Sequence, residues 1–91
     1  MVLSAAIAAI PAQAQQAWFA IGVSTTNHGA AQQRANYLGS DWYVMSSNEC
    51  PNFRRGLWIA VSGPHSHYNA QVVANNARYA GVRDAYVKSC Y

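Results

Sequence analysis

The sequence predicts an α+β domain of the ferredoxin-like βαββαβ kind, a four-stranded antiparallel sheet with two helices on one face. Three observations predict it. At 91 residues the chain has room for one small core. Its hydrophobic period switches between 2 and 3.6 in the order strand, helix, strand, strand, helix, strand. The second half repeats the first: Trp18 to Val23, Ala30 to Leu38, Gly39 and Trp42-Tyr43-Val44 are followed by Trp58 to Gly63, Ala70 to Ala80, Gly81 and Ala85-Tyr86-Val87. Two copies are too few for a solenoid, so the units must pack on each other, and right-handed crossovers then interleave their strands in one sheet.

The elements follow in order. Residues 1–14 carry no charge, run apolar from Val2 to Ile10 and end in Pro11-Ala12-Gln13-Ala14. That is the apolar core and small-x-small cleavage pattern of a secretory signal peptide, without the basic residues that open such signals. The domain proper is expected over 17–91, as two βαβ units at 17–47 and 57–91. Runs rich in Val, Ile and aromatics mark strands at about 17–24, 42–47, 57–62 and 85–90. Helices are expected over Ala30 to Leu38 and Asn69 to Ala80, with Asn27 and Ser66 as N-caps and Gly39 and Gly81 at the C-terminal stops. Ala70, Val73, Ala74, Ala77 and Ala80 form an i, i+3, i+4, i+7 stripe, and residues that small bring a helix close to the sheet.

Alternation assigns the faces of the sheet. With Phe19, Ile21, Val23, Leu57, Ile59, Val61, Val44 and Val87 turned to the helices, the outer face receives Trp18, Ala20, Gly22, Tyr43, Met45, Trp58, Ala60, Ser62, Tyr86 and Lys88. With the first and third strands central, Ala20 and Ala60 form a small-residue floor flanked by Trp18, Trp58, Tyr43 and Tyr86. A trough of that kind suits a sugar ring, whose C–H face stacks on aromatics while its edge hydroxyls find Tyr, Ser or Lys donors. The same face could serve as a homodimer or protein interface.

Composition narrows the function classes. Net charge is +3, from six Lys and Arg against three Asp and Glu. The basic residues are scattered, with Arg54-Arg55 as the one local pair, which argues against nucleic acid as partner. Mean hydropathy is −0.10 and the apolar run of the first residues is too short to span a bilayer, so no stable membrane anchor is expected. Asp41, Glu49 and Asp84 are far apart in sequence, which offers no local carboxylate pair for glycoside hydrolysis. Cys50 has no neighbouring His, and no Gly-x-Ser-x-Gly elbow occurs. His28 and His65-Ser66-His67 follow strands that run in opposite directions, so they do not assemble a metal site. The expectation is a non-enzymatic binding module without cofactor or metal.

Cys50 and Cys90 remain open. Export to an oxidising compartment favours a disulfide. The topology opposes it, because the second and fourth strands end at opposite edges and opposite ends of the sheet, beyond bridging distance; either the 48–56 loop folds back, the strand order is different, or both thiols pair elsewhere or stay free.

The order of motifs resembles the SPOR (sporulation-related repeat) family. The residues carrying the resemblance are Ala20-Ile21-Gly22, the run Trp58-Ile59-Ala60-Val61-Ser62-Gly63-Pro64, the helix start Asn69-Ala70-Gln71, and the segment Cys50 to Trp58 that introduces the third strand. The resemblance implies a periplasmic or secreted bacterial cell-envelope module that binds peptidoglycan glycan strands, stripped of stem peptides, on its exposed sheet face. The family often places a Gln on the first strand; here that position is Ala20.

Overall fold

The structure is a computed structural model that describes residues 16–91. The signal-peptide reading of residues 1–14 lies outside them. In chain order the elements are β1 (Trp18–Thr25), α1 (His28–Leu38), β2 (Tyr43–Ser46), a 3-10 turn (Ser47–Glu49), β3 (Trp58–His65), α2 (His67–Tyr79) and β4 (Tyr86–Ser89). The four strands form one antiparallel sheet in the order β2-β3-β1-β4, and both helices pack on it, giving the ferredoxin-like arrangement.

Both helices start at side-chain caps. The Asn27 carboxamide oxygen accepts from the Ala30 backbone N–H at 2.9 Å, and the Ser66 hydroxyl accepts from Asn69 N–H at 3.1 Å. Gly39 and Gly81 stand at the helix ends with positive φ. The Tyr37 hydroxyl donates to the Ala80 carbonyl and so ties the two helix ends together.

Helix contacts with the sheet run through small residues. Ala31 and Ala35 of α1 and Ala70, Ala74 and Ala77 of α2 are buried against the sheet, and the strand positions below them are Ala20, Gly22, Ala60 and Ser62, all buried. Closeness explains the choice: a Cβ on Gly22 would lie 2.9 Å from Leu38 Cδ1 and 3.2 Å from the Trp42 ring. Gly22 is also the extra residue of a bulge, since Ile21 pairs with Val61 and Val23 with Ala60.

The large side chains lie on the other face. Phe19, Ile21, Ile59 and Val61 pack with Cys50, Phe53 and Cys90, and Met45 and Leu57 close around them. This corrects the face assignment from alternation. Trp18, Ala20, Gly22, Trp58, Ala60 and Ser62 face the helices, while Phe19, Ile21, Leu57, Ile59 and Val61 face away. Alternation carries no phase of its own, and here both faces are covered, so the bulky set marks a second core and not the helix side. Val44 and Val87 do lie on the helix side, and Tyr43, Met45, Tyr86 and Lys88 on the other, as their pairing with Ala60, Ala20, Val61, Ile59, Ile21 and Phe19 requires.

The second cover is the segment from Ser47 to Leu57. Its ends are joined: Ser47 N–H donates to Leu57 O and Leu57 N–H to Ser47 Oγ, both at 2.9 Å. Between them the chain folds back under the sheet, and Phe53 meets Phe19 edge-on, ring centroids 6.0 Å apart. At the far edge Asn52 donates from its backbone to Cys90 O and from its side chain to Ser89 O, each at 3.0 Å. Cys50 and Cys90 are disulfide-bonded with Cα atoms 4.7 Å apart. The predicted strand order and the bond coexist because the loop crosses the sheet, and neither half of the sequence-level conflict has to yield.

Candidate functional site

The loop leaves part of the sheet face uncovered, and a groove of about 380 Å³ remains between it and the β1–β4 side. Ile21, Ile59 and Leu57 supply apolar lining; Phe53 and Arg54 stand on the loop side; Tyr86 and Lys88 stand on the strand side. Ser24 adds an exposed hydroxyl, whereas Ser47 is buried with its Oγ engaged by Leu57 N–H. Tyr86 and Lys88 share the face because they are two residues apart on one strand, in register with Ile21 and Phe19. Tyr86 is 43% exposed, so an aromatic ring is available to a ligand at the groove. The lining holds two cations and no carboxylate.

The residues expected to form one trough are therefore divided between two faces. Tyr86 and Lys88 line the groove. Tyr43 lies on the same face at the opposite edge, where its hydroxyl donates to Gly63 O at 3.1 Å. Burial raises the Tyr43 phenol above its ordinary pKa, and the nearby Glu49 carboxylate adds to the shift. Ala20, Ala60 and Ser62 are sealed beneath the helices at 0, 0 and 1% exposure. Trp18 and Trp58 stand at the two ends of the helix side. Trp18 contacts His67 at 4.3 Å between ring centroids and Trp58 contacts His28 at 4.7 Å, each edge-on. These pairs are equivalent in the repeat: each joins the Trp that opens one unit to the first helical residue of the other.

Sequence reasoning did not include Ile21, Ser24, Ser47, Phe53, Arg54, Leu57 or Ile59 in the site. Phe53 carries a usable signal in the sequence, as an apolar residue in a loop that also holds a cysteine, whereas Leu57 is expected at the start of the third strand and facing the helices. Arg54 stands out in the sequence as half of a basic pair and as part of the segment that introduces the third strand. Among the described residues no three His, Cys, Asp or Glu side chains cluster closely enough to hold a metal ion. Ser62 Oγ and His65 Nε2 are 3.0 Å apart, but the buried hydroxyl has no access to a substrate.

No family model, curated protein or solved structure matches the chain.

Proposed function

We propose that the chain is a SPOR-like, non-enzymatic module of the bacterial cell envelope that binds peptidoglycan glycan strands in the groove between the Ser47–Leu57 loop and β4. The observation that carries this reading is a half-exposed Tyr86 ring with Lys88, Arg54 and the exposed Ser24 around it. A pyranose presents an apolar C–H face and a polar edge, and the groove offers a partner for each. Export to a periplasmic or extracellular compartment fits the Cys50–Cys90 bond, and among the described residues no helix is long and apolar enough to cross a membrane.

The competing role of the same face, homodimerisation or protein docking, calls for a broad flat surface. The loop occupies the middle of that surface and leaves a channel. Cosedimentation of the purified protein with insoluble peptidoglycan tests the glycan reading, using sacculi before and after amidase treatment. Enrichment in the pellet, greater on stripped sacculi, is expected. A protein that stays in the supernatant with both would overturn it.

A further inference from the structure

We infer that Arg54-Arg55-Gly56 is a processing site, at which a trypsin-like protease converts the chain into two pieces that remain joined as one folded protein. A protease of that class takes a basic side chain into a specificity pocket holding a carboxylate, and pairs with the residues around the cut as an extended strand. The loop presents what such an enzyme needs. Arg54, Arg55 and Gly56 are all exposed and lie outside helix and strand. Among the described residues no backbone–backbone hydrogen bond reaches Arg54 or Arg55, so none has to break when the enzyme binds. Gly56 has φ 83 with nothing within 4 Å of where a Cβ would stand, and its N–H donates to the exposed Asn48 side chain at 2.9 Å. The other basic residues are guarded. Arg34 and Arg78 belong to α1 and α2, where their side chains donate to Gly22 O and Ala85 O, and Lys88 belongs to β4. Arg83 lies inside a turn closed by Ala85 N–H donating to Val82 O at 3.1 Å.

Hydrolysis of the Arg55–Gly56 amide consumes one water and leaves a carboxylate on Arg55 and an ammonium on Gly56. The cut falls between the repeats: β1, α1 and β2 stay in one piece, and β3, α2 and β4 in the other. With the strand order β2-β3-β1-β4, every strand pairing crosses from one piece to the other. So does the Cys50–Cys90 bond, as do the hydrogen bonds between Ser47 and Leu57 and from Asn52 to Ser89 and Cys90. Neither piece can form this sheet alone, and the disulfide keeps the two at high effective concentration. What changes is the loop. Phe53 and Arg54 come to lie beside a free chain end, connected to the fold through the Cys50 side alone.

The test is limited digestion of the oxidised chain with trypsin under native conditions, read by mass spectrometry before and after reduction. The first product should be heavier than the intact chain by one water. On reduction it should separate into a piece ending at Arg54 or Arg55 and its complement, and before reduction its circular dichroism should match that of the uncut protein. Arg54→Gln/Arg55→Gln should prolong the life of the chain about tenfold or more, because the remaining basic residues are cut only when their elements open. Arg83→Gln should leave the first cut unchanged. A first cut at Arg34, Arg78, Arg83 or Lys88, or a double variant digested as fast as wild type, would overturn the inference. So would loss of the fold in the nicked, unreduced chain.

Discussion

Cys50 and Cys90 are bonded across the sheet, although one follows the edge strand β2 and the other the opposite edge strand β4. The bond secures a loop that would otherwise be an excursion between two strands and turns it into a third layer. Helices, sheet and loop thus form a stack in which the sheet is covered twice, by small residues on one side and bulky ones on the other. A domain this short has little apolar area to spare, and covering the second face is a physical way to gain more.

Replacing both cysteines by serine should therefore destabilise the chain substantially. Linking residues 40 apart restricts the unfolded chain by about 4 kcal/mol in the chain-entropy account. Urea unfolding of Cys50→Ser/Cys90→Ser against the oxidised wild type checks this. A difference below about 1 kcal/mol would mean that the Asn52 hydrogen bonds and the Phe53 contact hold the loop unaided.

Phe53→Ala should cost about 3 kcal/mol, at the low end for buried aromatics because the loop can settle into the space. The same substitution removes one wall of the groove. Unfolding measurements on the disulfide-intact variant give the stability, and dye binding to the uncovered Phe19 and Ile21 reports the opened face.

On the helix side, Gly22→Ala should destabilise by about 1–3 kcal/mol through overpacking. Its Cβ would meet Leu38 at 2.9 Å. Leu38→Ala in the same chain should recover part of that loss, a coupling that a double-mutant cycle measures directly. Additive effects would place Gly22 away from α1.

Much of this fold was legible in the sequence. Asn27 and Ser66 cap the helices as their side chains predict, and the doubled unit leads to the observed strand order. The face assignment was not legible, because a period of two is equally satisfied by either phase. The small stripe on α2 held the missing information: alanines on a helix demand small partners beneath, and Ala20, Gly22, Ala60 and Ser62 are the small ones. The groove was hidden for another reason. Phe53 and Arg54 reach it through a loop whose path depends on Cys90, 40 residues from Cys50, and local patterns do not record contacts at that range.

The Tyr43 phenol should ionise above the ordinary value of 10.0. A raised folded-state pKa contributes stability that is fully present below the unfolded value and is lost as pH rises through the folded one. The stability advantage of wild type over Tyr43→Phe should accordingly shrink on moving from neutral pH to above 10.0, and tyrosinate absorbance of the variant should lack a late-ionising component. An advantage that grows with alkalinity would contradict the assignment.

The ligand is proposed to meet the loop side of the sheet, and two aromatic truncations separate the faces. Tyr86 lines the groove, whereas Trp58 lies on the helix side against His28. In cosedimentation with amidase-stripped peptidoglycan, Tyr86→Ala should bind about tenfold more weakly than wild type, and Trp58→Ala should bind as wild type does. Loss on Trp58→Ala with full binding by Tyr86→Ala would exclude the groove and move the site to the other face.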